Sequence, residues 1–290
     1  MFVPRRVLEE KLHRFLENDL GQGDVTTALT IPEGTIVEAE IIAKEPGTVA
    51  GIEEALVSLE SFGLRVDTKV SDGVDVRPRT VLLKIAGDAR TLLSLERTVL
   101  NLLSRMSGIA TATRRILKKL KAAGYTTRVA CTRKVAPGLG YFDKRAVFVG
   151  GGDVHRLHLD DMILIKDNHI AVAGGLMVAV RRAREGASFS KKIEVEVTTP
   201  EDAMKAADAG VDIVMLDNFT PEKIRKALKE LEKRNLRSRV LVEASGGISE
   251  KNILDFAATG VDVVSLGELT QDAKPLDMSL EVIRVHRQKT

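Results

Sequence analysis

Residues 191–218 read "KKIEVEVTTPEDAMKAADAGVDIVMLDN". The runs "KIEVEVT" and "DIVMLDN" are short, rich in Val and Ile, and read as strands covered on both faces, while "TPEDAMKAADAG" between them reads as a helix. Strand, helix and strand in so little chain mean two parallel strands joined by a crossover. The pattern continues on both sides: "TTRVACT" and "MILIKD" precede it, "RVLVEAS" and "DVVSLGE" follow, and "TPEKIRKALKELEKR" and "SEKNILDFAATG" supply further helices. "DAGVDIVMLDN" around Gly210 is echoed by "ATGVDVVSLGE" around Gly260, as repeated units would produce. Six parallel strands with crossover helices predict a TIM-like or incomplete β/α barrel, with an open doubly wound sheet as the competing arrangement.

Upstream the pattern changes. Residues 1–30 predict a helix, "RRVLEEKLHRFLENDL", followed by the turn-rich "GQGDVTT". Residues 35–86 set short strands, "TIVEAEIIA", "GTVAG", "LRVDTKV" and "TVLLKIAG", around one helix, "IEEALVSLESFG", and read as a small α/β module. From Arg90 to Gly124 an amphipathic stretch without proline predicts more than one helix. The domains expected are an N-terminal α/β domain over 1–110, joined by 275–290 through the strand-like "LEVIRVH", and a β/α barrel over 111–274.

Composition excludes several classes of function. A net charge of +3 over 290 residues offers no global field for DNA, RNA or acidic membrane, and 3% aromatic residues without Trp argue against base-stacking modules. No apolar run approaches the roughly 18 residues of a membrane helix, and the charged N-terminus lacks a signal-peptide core, so a cytoplasmic location is expected. The single cysteine, Cys131, reads as a small filler in a strand. The histidines lack metalloprotease spacing, so no transition-metal centre is expected.

Every predicted barrel strand ends in polar chemistry, and in parallel α/β folds that is where reactive groups collect. Arg133 and Lys134 follow "TTRVACT", Lys166 follows "MILI", Glu196 lies in "IEVEV", Asp217 closes "DIVML", Ser245, Gly246 and Gly247 follow "RVLVEA", and Gly267 follows "DVVSL". His155 and Arg156 stand just ahead of "MILI", in "GGGDVHRLHLDDMILIKDNHI" (150–170). Arg133, Lys134, Arg156 and Lys166 can hold carboxylates or phosphates. Glu196 and Asp217 suit ribose hydroxyls, Mg²⁺ or a developing positive charge. "ASGGIS", read as opening a helix directly after a strand, suits phosphate. Blander readings stand beside these: Arg133-Lys134 as a solvated pair, Asp167-Asn168 as a helix cap, Glu196 as the partner of a barrel lysine, and the glycines as a tight turn.

Assembled, the motifs "GDVTT", "ERTVLNLLSRMSGIAT", "TRKVAPGL", "GGGDVHRLHLDDMILIKDNH", "EVEV", "MLDN" and "EASGGI" resemble the quinolinate phosphoribosyltransferase family over nearly the whole chain. The resemblance implies an incomplete seven-stranded β/α barrel with a smaller N-terminal α/β sandwich domain. It implies transfer of phosphoribosyl from phosphoribosyl pyrophosphate to quinolinate with decarboxylation, giving nicotinate mononucleotide in NAD biosynthesis, with Mg²⁺ as cofactor. It further implies a homodimer with shared active sites, in which Arg97 of "ER" crosses to the partner. Arg133, Lys134, His155 and Arg156 would hold quinolinate. Lys166, Glu196 and Asp217 would engage phosphoribosyl pyrophosphate and Mg²⁺, with Ser245, Gly246, Gly247 and Gly267 around a phosphate. Val135, Val154 and Gly140 depart from the family pattern. They keep open a relative acting on another aromatic acid. A Schiff-base lyase using Lys166 and a non-catalytic sugar-phosphate-binding module are the other readings.

Overall fold

The computed structural model describes residues 3–286; the expectations for residues 1–2 and 287–290 lie outside them. The chain begins with α1 (Arg5–Leu20), α2 (Val25–Thr30), β1 (Ile36–Ala43), β2 (Gly47–Thr48), α3 (Ile52–Glu60), β3 (Arg65–Asp67), β4 (Asp75–Val76), β5 (Val81–Asp88) and α4 (Ala89–Ala122). It continues with β6 (Arg128–Cys131), α5 (Gly140–Gly150), β7 (Ile163–Ile165), α6 (Asp167–Ala173), α7 (Leu176–Gly186), β8 (Ile193–Val197), α8 (Pro200–Asp208), β9 (Ile213–Asp217), α9 (Pro221–Lys233), β10 (Leu241–Ser245), α10 (Ile253–Ala257), β11 (Val263–Leu266), α11 (Glu268–Gln271) and β12 (Met278–His286). Contacts divide the described residues into two units: one takes residues 3–114, Arg145–Gly151 and residues 273–286, and the other takes Arg115–Lys144 and Gly152–Asp272.

The first unit is built on an antiparallel sheet in the order β12-β1-β5-β3. In β1 the alternation is visible in the burial itself: Val37, Ala39 and Ile41 are buried. They pack in one core with Leu16 of α1, Ile52 and Leu59 of α3, and Leu92, Leu95 and Val99 of α4. The stretch expected to hold more than one helix is a single 34-residue helix, α4. Asp88 accepts the Thr91 N–H at its start (2.8 Å), and no proline or left-handed glycine interrupts it. Gly108 within it lets Lys274 approach: a Cβ there would stand 2.2 Å from the Lys274 carbonyl oxygen. The C-terminal strand joins this sheet through β12 against β1. One buried ion cluster marks the unit. Arg145 lies 2.5 Å from Glu53, 2.6 Å from Glu54 and 3.0 Å from Asp72, and Asp72 in turn accepts the N–H groups of Gly51 and Ile52.

The second unit holds six parallel strands in the order β6-β11-β10-β9-β8-β7, ringed by helices. The repeated grammar has a local cause. Thr199 with Pro200 and Thr220 with Pro221 start α8 and α9, each threonine oxygen accepting an N–H of the first turn. The echo noted around Gly210 and Gly260 is structural: both glycines adopt left-handed φ, at 77° and 88°, to end a helix. The aspartates two residues later then accept an N–H of the neighbouring strand, Asp212 from Ile193 and Asp262 from Val242, each at 2.7 Å. The barrel is TIM-like and open, but the expected seventh strand is reduced to one bridge, Asp153 against Ala130 on the free edge of β6. The reason lies two residues on: His155 sits at φ 51°, which ends any extended run.

Candidate active site

Because side chains alternate along a strand, residues two apart share a face. In the second unit this stacks two polar layers at the carboxyl ends. Glu196, Met215 and Glu243 stand level in the strand register, and Asp217, Ser245 and Ser265 stand level further along; all six line one cavity of about 570 Å³. The turns after β6 and before β7 complete its wall with Arg133, Lys134, His155, Arg156 and Lys166.

The cations divide into two kinds. Lys166 is taken: its Nζ lies 2.5 Å from Oε2 of Glu196. The ion pair anticipated for Glu196 is therefore real, but its partner is itself a cavity residue. An Nζ engaged by a carboxylate is poorly placed to attack a carbonyl, which disfavours the lyase reading. Among the described residues, the side chains of Arg133, Lys134 and Arg156 have no hydrogen-bonding or ion-pair partner. Arg156 is 8% exposed, and burial, then the nearby Arg133 charge, pulls its pKa below the usual arginine value. A cavity lined by unpaired cations is built for an anion.

Beneath them lies a group centred on His155. Its Nε2 stands 3.2 Å from Glu194 and 3.4 Å from Glu243, side chains 0% and 2% exposed that come from β8 and β10. Its Nδ1 lies 2.8 Å from the Arg156 backbone nitrogen, whose N–H it accepts when the ring is neutral. Burial alone would lower the imidazole pKa, but the two carboxylates outweigh it and raise it to about 9. Glu194 is raised in turn, by burial first and by the Glu243 charge as well, although His155 opposes the shift.

Asp217 accepts from the amide of Asn218 (2.7 Å), and Asn218 turns left-handed at φ 56°. Gly246, at φ 88°, packs on that turn: a Cβ there would lie 2.3 Å from Asn218 Oδ1. The expectation that "ASGGIS" opens a helix at once is corrected. Gly247 is also left-handed, Asn252 ties the loop by donating to the Gly247 carbonyl, and α10 begins only at Ile253. Backbone N–H groups of a loop, without a helix dipole, are what this edge offers. Likewise Asp167-Asn168 is not the cap: the N-cap of α6 is Lys166, whose N–H donates to Nδ1 of His169 (3.0 Å).

Of the residues singled out from sequence, Lys134, Lys166, Glu196, Asp217, Arg133, His155, Arg156, Ser245, Gly246 and Gly247 all line the cavity. Gly267 does not, but backs it: a Cβ on Gly267 would come 3.4 Å from Lys134 Cδ. Arg97 is an exposed residue of α4 in the first unit and lines no part of the cavity. Glu194, Glu243 and Ser265 were missed as site residues. The signal for the first two was available, since each precedes a chosen residue by two positions on the same strand. Cys131 is buried against the Val154 carbonyl (3.5 Å), and burial pushes its thiol pKa up, as suits a filler.

Comparisons with known proteins agree with this geometry. Residues 24–107 match the N-terminal and residues 109–281 the C-terminal domain model of quinolinate phosphoribosyl transferase. The chain is 49% identical over 271 residues to the probable nicotinate-nucleotide pyrophosphorylase (carboxylating) of Methanothermobacter thermautotrophicus, covering 93% of this chain and 97% of that protein. It is 39% identical to the human nicotinate-nucleotide pyrophosphorylase (carboxylating), over 84% of this chain and 82% of that one. The crystal structure of NadC from Streptococcus pyogenes superposes with a TM-score of 0.88 at 35% identity, over 98% of this chain and 100% of that one. "Carboxylating" names the reaction in reverse, the direction that consumes carbon dioxide, so it agrees with the decarboxylating transfer expected from the motifs. On both domain models and on sequence identity across nearly its whole length, the chain belongs to the quinolinate phosphoribosyltransferase family.

Proposed function

We propose that this cavity joins quinolinate to phosphoribosyl pyrophosphate, and that the unpaired cations are its quinolinate-binding groups. The observation that carries the reading is the convergence of Arg133, Lys134 and Arg156, without protein partners among the described residues, on a cavity whose other wall is Glu196, Asp217 and the Ser245–Gly247 loop. A dicarboxylate supplies the missing anions, and arginine forks match carboxylates. The pyridine nitrogen then attacks the anomeric carbon as its bond to pyrophosphate breaks. Positive charge on the sugar develops where Glu196 and Asp217 stand. With the ring nitrogen cationic, the adjacent carboxyl leaves as carbon dioxide, its electron pair passing to the ring carbon, which takes a proton to give nicotinate mononucleotide.

Glu196 and Asp217, hard oxygen donors on adjacent strands, fit Mg²⁺ arriving with the co-substrate, since magnesium favours one or two carboxylates plus phosphate oxygens. Bound there, the ion would neutralise charge on the departing pyrophosphate. Product analysis after mixing the protein with quinolinate, phosphoribosyl pyrophosphate and Mg²⁺ tests the reading. Nicotinate mononucleotide with one carbon dioxide per turnover is expected, and comparable catalytic efficiency with nicotinate would refute the diacid site, because a missing carboxylate leaves buried cations unpaired. The exposed Arg97 is read as serving a partner's cavity in a homodimer. Mixing inactive Arg97→Ala and Lys134→Ala chains should restore part of the activity through one intact hybrid site, and no recovery after verified subunit exchange would refute sharing.

A further inference from the structure

The buried carboxylates under the cavity are unexplained by the chemistry above. Glu194 and Glu243 come from strands separated by β9, and both close on the same imidazole nitrogen. Both oxygens of Glu194 and Oε1 of Glu243 make no directed hydrogen bond among the described residues, and neither does the buried Oγ of Ser265 beside them. Such groups cost stability, and an apolar layer of the same volume is commonly as stable or more so. Glu54 of the first unit is unsatisfied in the same way, so the cost alone assigns no role; what sets Glu194 and Glu243 apart is that they close on a residue of the cavity wall.

We propose that Glu194 and Glu243 are positioning residues, which clamp His155 across the barrel and thereby hold the His155–Arg156 turn so that the Arg156 guanidinium meets quinolinate. This rests on the assignment of Arg156 as a quinolinate ligand. The turn needs holding, because a histidine at φ 51° is strained and persists only when its surroundings over-determine it. The preceding backbone is pinned on one side: Asp153 bridges to β6, Arg128 grips its carboxylate at 2.7 and 2.8 Å, and Lys144 donates to the Val154 carbonyl. The ring supplies the other side. Nε2 faces the two carboxylates and Nδ1 lies 2.8 Å from the Arg156 backbone nitrogen, so the ring is held along both edges. What the turn delivers to the cavity is the next side chain, Arg156, whose guanidinium has no partner among the described residues.

The same three side chains place ligand atoms within 4.8 Å of one another, as a metal site would, so the test separates the two ideas. Glu194→Gln and Glu243→Gln keep shape and remove charge. In each, KM for quinolinate should rise about tenfold or more, the scale on which losing the partner that orients a metal-bound histidine is felt. The turnover number and KM for phosphoribosyl pyrophosphate should change less than about threefold, since the clamp acts on quinolinate presentation alone. Arg156→Ala serves as the reference. If it raises KM for quinolinate while neither glutamine variant does, the clamp is wrong and the Arg156 assignment stands; if it too leaves KM unchanged, both fall. A parallel loss of thermal stability, turnover and both KM values would mean a merely structural cluster. Stoichiometric bound metal that is lost in the variants would overturn the clamp in favour of a metal centre. Should the variants fail to fold, Glu194→Asp and Glu243→Asp replace them, keeping the charge but shortening its reach: a raised KM for quinolinate with turnover kept is expected, and an unchanged KM in both would overturn the clamp.

Discussion

Each unit buries carboxylates around a single cation, and the two clusters do opposite things. In the first unit Arg145 gathers Glu53, Glu54 and Asp72, and the acids tie α3, the Asp72 loop and the end of α5 into one knot. None of the four is among the residues lining the active-site cavity. In the second unit His155 gathers Glu194 and Glu243, and both the ring and Glu243 line the cavity that carries Arg133, Lys134 and Arg156. Buried charge is therefore no signature of function by itself. It becomes one when it coincides with a cavity, with strand ends and with polar groups that have no protein partner.

The sharpest way to break the contrast is Arg145→Ala. It would strand the fully buried Glu54 and the Asp72 carboxylate without their cation, a loss of about 3–5 kcal/mol. Denaturant titration should show that drop, while the folded fraction keeps its turnover; lost turnover in a stable protein would give the knot a catalytic role. Next comes Glu196→Gln, for which the contrast demands the reverse. Turnover should fall by on the order of 10²–10³, as for removal of a preorganised electrostatic partner. Its partner Lys166, 42% exposed, regains water, so stability should move by no more than about 1 kcal/mol. An unfolded Glu196→Gln, or a stable one with unchanged single-turnover rate, would remove Glu196 from the chemistry.

The smallest expected effect is a pH dependence. Burial raises Glu54 from the ordinary 4.5 to about 7, although Arg145 pulls the other way. The folded chain then keeps a proton that the unfolded chain releases, so this contribution is fully present below 4.5 and is lost as pH rises through about 7. Unfolding free energy measured from pH 5 to 8 should fall by on the order of 2 kcal/mol from this group and flatten in Glu54→Gln. His155, with its pKa raised from 6.5 to about 9, loses its contribution over a higher window, so the difference between the two proteins at low pH isolates the knot. Identical slopes in wild type and Glu54→Gln would show that the knot is already ionised.

The sequence by itself determined the six strands of the second unit, the helices α8, α9 and α10 between them, and that chemistry gathers where the strands end; it left α5, α7 and α11 unread. Apolar runs, Thr-Pro helix starts and the Gly-Val-Asp repeat are local signals, written within a few residues of what they cause. The two-residue period even carried Glu194 and Glu243, one step below residues chosen for their position at strand ends. Other features needed the folded chain. The bridge of Asp153 to β6 and the left-handed turn at His155 were not foreseen, since the carboxylates that face the ring come from β8 and β10, distant in sequence. The single length of α4 was not legible either: its first half packs in the core of the first unit, a contact made with residues distant in sequence. Which lysine would pair with Glu196, and which cations would remain without partners, could not be read from the chain. Charge pairing over several ångströms is a property of where strands end in space, and only tertiary structure brings those ends together.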